Sequence, residues 1–203
     1  MKTKAILFSM LFVSSSFSLF NCSGEKRSDS ETTTATEEKT KPAESTQTAQ
    51  PQFEVDGKFQ DQLAAVFASY VALKDAFVLS DAEKVKAEAK TTKDALKKVD
   101  MKLLTGAAHN DWMSYLTPIE NALNEIESSA DIESQRKSFS TVSDNLYKSV
   151  KAFGLDGREA FYEYCPMAFN NEGGYWLSDK NEIRNPYFGD KMLTCGSVVE
   201  TLK

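Results

Sequence analysis

A single histidine, His109, serves all 203 residues of this chain. One imidazole, with no nucleophile motif around it, supports no hydrolytic triad. There is no glycine-rich phosphate loop, which sets aside P-loop nucleotide chemistry. There is no Cys-x-x-Cys pair, and with so few nitrogen ligands a structural zinc site is not expected. Basic charge is in deficit, the net charge being −6, and an acidic chain is a poor partner for nucleic acid. The long apolar run at the start, Ala5 to Phe20, is broken by serines and is short for a membrane-spanning helix. These absences together predict a protein that is not an enzyme and binds no nucleic acid.

What is present at the N-terminus reads as an address. Lys2 and Lys4 give the apolar run a positive start, and "LFNC", Leu19 to Cys22, closes it. That ending resembles a bacterial lipobox, whose cysteine is acylated and becomes the first residue of the mature protein. Asn21 is larger than the residue usual before that cysteine. Residues 1–22 are thus expected to be a lipoprotein signal peptide with Cys22 as the lipidation site. A palmitate-type anchor would hold the protein to a membrane of the cell envelope, facing the periplasm or the exterior. The alternative is an ordinary cleaved signal that leaves a soluble periplasmic protein. Residues 23–52 contain no Leu, Ile, Val, Met, Phe, Tyr or Trp. Such a segment cannot bury enough apolar surface to offset its ordering entropy. It reads as a disordered tether, spanning on the order of 30 Å. Residues 53–203 remain, enough for one domain with its own core.

Within that domain, apolar residues recur at helical spacing four times. Phe59, Leu63, Val66, Phe67, Tyr70, Leu73 and Phe77 mark the first helix. The second follows Ser80 or Asp81 as N-cap and runs to about Val99, with a weaker stripe at Val85, Ala89, Thr92 and Leu96. The third covers roughly Gly106 to Ser128, with Pro118 inside it as a kink or break. The fourth starts near Asp131 and ends before Gly154, a C′ residue. The expected fold is all-α: an antiparallel four-helix bundle. An aromatic, Cys- and Met-containing C-terminal segment should wrap one face or end of it. In that segment "NNEGG" and "NPYFG" are turn signals, with room for a small hairpin, and a short helix is expected from about Ser197.

The segment opens on Cys165-Pro166-Met167 and closes on Met192-Leu193-Thr194-Cys195. If Cys22 is acylated, two cysteines remain in an oxidising compartment, and a Cys165–Cys195 disulfide is one reading. Closing a loop of about 30 residues would add roughly 3–4 kcal/mol in the chain-entropy model. The other reading is a soft-metal site. Thiolates and thioethers select Cu(I) and similar ions, and Met167 and Met192 flank the two cysteines. His109 and Met113, four residues apart, share a side of the third helix and could face them. Each of these has a plainer reading as well: methionine fills gaps in aromatic cores, and the histidine can be a satisfied, partly buried one.

The stretches "YCPMAFNNEGGYWLS" and "IRNPYFGDKMLTCG", with "VDMKLL", "AHNDWM" and "VKAFGL" upstream, resemble the domain of unknown function 3347 family. The resemblance covers about Phe59 to Leu202. That family occurs alone in secreted proteins and at the C-terminal end of periplasmic adaptor subunits of copper and silver efflux pumps. The resemblance implies a helical domain in a metal-handling context, with His109, Cys165, Met167, Met192 and Cys195 at the matching positions. "YCPM" also looks like the Cys-Pro-Met of small heavy-metal-binding domains, but Ala168 and Phe169 stand where those continue with His-Pro. The leading expectation is a membrane-anchored envelope protein binding copper(I) or silver(I) for sequestration or hand-off to heavy-metal efflux components. Its site would be Cys165, Cys195, Met167, Met192, His109 and Met113. The alternative is a structural or interaction module with a Cys165–Cys195 disulfide.

Overall fold

The structure, a computed structural model, describes residues 50–203. The expected signal peptide, the expected lipidation site at Cys22 and the expected tether up to residue 49 lie outside the described residues.

Helix α1 (Gly57–Val78) starts where the Asp56 carboxylate accepts from the Lys58 amide at 2.8 Å. Asp81 and Asp131 do the same for α2 (Ala82–Leu96) and α4 (Ile132–Phe153), accepting from Lys84 and Ser134. Each cap supplies an acceptor for an amide that the first turn leaves unpaired. Helix α3 (Gly106–Ser128) runs unbroken through Pro118, so the expected kink or break does not stop it. Helix α2 ends at Leu96, three residues before Val99, where the chain turns into a 3-10 turn at Met101–Leu103.

The helices pack in sequence, α1 on α2, α2 on α3 and α3 on α4, and α4 returns to α1. Aromatic rings fix the direction of the last pair. Phe59, at the start of α1, meets Phe153 at the end of α4 (5.1 Å between centroids). Phe77, at the end of α1, meets Phe139 near the start of α4 (4.6 Å). The two helices are therefore antiparallel.

The fold is mostly helical but not all-α. Three strands form a small antiparallel sheet: β1 (Ala160–Cys165), β2 (Gly174–Ser178) and β3 (Ser197–Leu202), in the order β2-β1-β3. The short helix expected from Ser197 is instead β3. Its β-branched run "SVVETL" completes the sheet beside β1, a partner more than thirty residues earlier. Local periodicity does not reveal such a pairing. The expected hairpin exists, with Tyr164 opposite Tyr175 and Cys165 opposite Gly174. Its connection contains a turn at Ala168–Asn171 in which Phe169, Asn170 and Asn171 all have positive φ (52°, 58° and 72°). Asparagine tolerates this left-handed region far better than phenylalanine does.

The sheet packs on α4 and α1, and one hydroxyl couples all three. Tyr70 of α1 accepts from the Leu177 amide of β2 (3.1 Å) and bonds Ser143 of α4 (2.7 Å). The Tyr70→Phe variant should therefore lose about 1–3 kcal/mol, because a buried amide is left without its acceptor. Urea unfolding followed by far-ultraviolet circular dichroism measures this. No change in midpoint would mean that the hydroxyl is not the link between the layers.

Candidate functional site

The aromatic C-terminal segment is anchored from both sides. Tyr187 packs edge-on against Trp176 and Phe169 and tilts over Phe139 of α4. Its hydroxyl donates to the Tyr175 carbonyl. Gly174 is open to this packing because it has no side chain: a Cβ there would stand 2.7 Å from the Tyr187 ring and 2.9 Å from the Ala168 methyl. Asn185, fully buried, donates to the Cys195 carbonyl (2.7 Å) and accepts from the Tyr187 amide (2.8 Å). A third anchor is Arg136 of α4, also buried. It donates to the Pro186 carbonyl (3.0 Å), the Phe77 carbonyl (3.4 Å), Ser80 Oγ (2.8 Å) and Glu133 (2.6 Å).

These anchors bring Cys165 and Cys195, thirty residues apart, to a sulfur–sulfur distance of 2.8 Å. Cys165 is fully buried and Cys195 is half-buried. The hydrogen bond between the two sulfurs, and then burial, push the Cys195 thiol up to about 11. It is therefore held protonated, the reverse of an activated thiol. Two thiolates sharing one metal ion, with bonds of about 2.3 Å at a tetrahedral angle, would stand roughly 3.7 Å apart. The pair as it stands has no room for an ion between its sulfurs.

The methionines lie elsewhere. Met167 and Met192 line one groove of about 490 Å³ beside the start of α4, together with Phe169, Phe188, Arg136 and Lys137. His109 and Met113 sit at the other end of the molecule. Trp112, between them on α3, packs on Phe59 and Phe153, the start of α1 and the end of α4. From Arg136 to Phe153 the α4 axis runs about 25 Å. The structure thus brings together Cys165 with Cys195 and Met167 with Met192. It does not bring His109 or Met113 to either pair. Among the described residues no cluster of three or more His, Cys, Asp or Glu side chains could hold a metal ion.

Sequence reasoning missed one buried group close to this site. Glu163 of β1 is fully buried, and neither carboxyl oxygen has a hydrogen-bond partner among the described residues. It lies opposite Trp176, whose indole N–H is also unpaired. Burial pushes its pKa up to about 8, and the Lys74 charge and the nearby indole pull it back only in part. A glutamate between two tyrosines in "FYEYC" gives no sign of this, because alternation there reads the aromatic positions as the buried ones.

Residues 66–157 match the family model described as "Protein of unknown function (DUF3347)". The match takes in most of α1, all of α2 to α4 and the turn after them. It ends before β1, so neither cysteine of the pair falls inside it. No curated protein and no solved structure matches the chain.

Proposed function

We propose, for a chain whose residues 66–157 belong to the DUF3347 family, a non-enzymatic interaction module whose C-terminal segment is stapled by Cys165 and Cys195. The observation that carries this reading is the 2.8 Å approach of two sulfurs from opposite ends of the segment. The helices form an antiparallel four-helix bundle that supports the segment, consistent with the short α1–α2 and α3–α4 connections. Lipidation at Cys22 would tether the module to a membrane of the cell envelope.

A second reading is favoured by the shared groove of Met167 and Met192. In it the reduced cysteine pair, opened by about 1 Å, binds copper(I) or silver(I) as cargo, and the thioethers assist exchange with efflux components. His109 and Met113 have no part in that site.

Thiol counting under denaturing, non-reducing conditions separates the two. The staple predicts no free thiol at Cys165 or Cys195, and a stability loss of roughly 3–4 kcal/mol on reduction or in Cys165→Ser. Two free thiols and a tightly held copper(I), lost in Cys165→Ser, would overturn the staple and establish the metal reading.

A further inference from the structure

The groove of about 490 Å³ beside the staple is assembled across a seam. One wall comes from the loop that Cys165 and Cys195 close, through Met167, Phe169, Phe188 and Met192. The other is the first turns of α4, through Glu133, Arg136 and Lys137. Met167 is 48% exposed, one of five large apolar side chains left open to solvent among the described residues. Methionine suits a surface that adapts to what it binds.

The charges are unequal. Glu133 is paired with Arg136 at 2.6 Å, and the Arg136 guanidinium is committed to buried carbonyls. Lys137 is exposed and has no carboxylate within ion-pair distance among the described residues. The rim thus offers one free cation over an apolar floor. The left-handed turn at Phe169, Asn170 and Asn171 presents Phe169 to the groove in a costly backbone conformation. Outliers of this kind concentrate at ligand clamps.

The geometry points to this groove as the docking site of a partner segment that pairs an apolar side chain with a carboxylate: an acidic, apolar peptide. The apolar side chain seats on Met167, Phe169, Phe188 and Met192, and the carboxylate meets Lys137. This inference rests on the interaction-module reading and names its surface.

The test is fluorescence anisotropy on the oxidised full chain, using a rhodamine-labelled peptide Leu-Phe-Glu-Leu-Asp and its twin with Lys in place of both acids. The acidic peptide should bind about tenfold more tightly than the basic one. Lys137→Glu should erase that preference, and Met167→Glu should weaken the acidic peptide by about fivefold or more. Leu79→Glu, at an exposed apolar residue in a different cleft, should change nothing. An unchanged preference in Lys137→Glu, or loss in Leu79→Glu, would place binding elsewhere and overturn the groove. So would failure of both peptides to bind at about 1 mM. The staple is judged separately by its thiol count, so the groove can fail while the staple stands.

Discussion

Arg136→Ala is expected to lower stability by about 3 kcal/mol, with the melting temperature falling by roughly 6–12 °C. One guanidinium reaches the end of α1 through the Phe77 carbonyl, the following turn through Ser80, and the aromatic segment through the Pro186 carbonyl. Removing it strands two buried carbonyls, Phe77 at the end of α1 and Pro186 in the aromatic segment, and frees the exposed Ser80. The ion pair to Glu133 contributes little of this, because Glu133 is 63% exposed. Two controls apportion the effect. Glu133→Ala should cost less than about 1 kcal/mol. Arg136→Lys should recover only part of the loss, since an ammonium lacks the planar fork that serves several acceptors together. Full recovery by lysine would show that charge alone, and not the fork, holds the segment.

Raising the pH from about 5 to about 8.5 should destabilise the native state by an amount on the order of 3 kcal/mol. The cause is Glu163. Its carboxyl is pushed from the ordinary 4.5 to about 8 by burial, so the folded chain keeps a proton that the unfolded chain has already released. Its contribution is complete below about 4.5 and is lost as the pH rises through about 8. The full shift sets a ceiling of about 5 kcal/mol. Lys74 of α1, itself buried and 3.5 Å from Ser178 Oγ, faces the same interior and offsets part of the cost of ionisation. Glu163→Gln keeps the shape and removes the titration. Urea midpoints measured across this pH range should slope downward in the wild type and lie nearly flat in the variant. Parallel slopes would assign the pH dependence to another group.

The helices were legible because each one faces one way. A 3.6-residue stripe from Phe59 to Phe77 gives α1 without any knowledge of its neighbours, and Asp81 and Asp131 mark two of the starts. The sheet was only half legible. The β1–β2 hairpin is local, and turn residues announce it. β3 depends on a distant partner, and a bulge between Tyr162 and Glu163 shifts the register of that pairing. The meeting of Cys165 and Cys195 was open to arithmetic on cysteine count. The separation of His109 and Met113 from them was not, because facing the same side of a helix does not say which end of the helix the site occupies. Arg136 and Glu163 were invisible for a further reason. Charged residues default to the surface, and only the tertiary fold shows these two inside.

The strand order β2-β1-β3 has a consequence for the newly made chain. The central strand is synthesised first, and both of its neighbours come later. β1 presents an unpaired edge until the last six-residue strand, Ser197–Leu202, has emerged. Exposed strand edges recruit other chains. A chain cut before Ser197 would keep that edge of β1 open. Pairing with β3 moves the open border one strand outward, so the latest-made of the three strands is the one that screens the earliest from other copies.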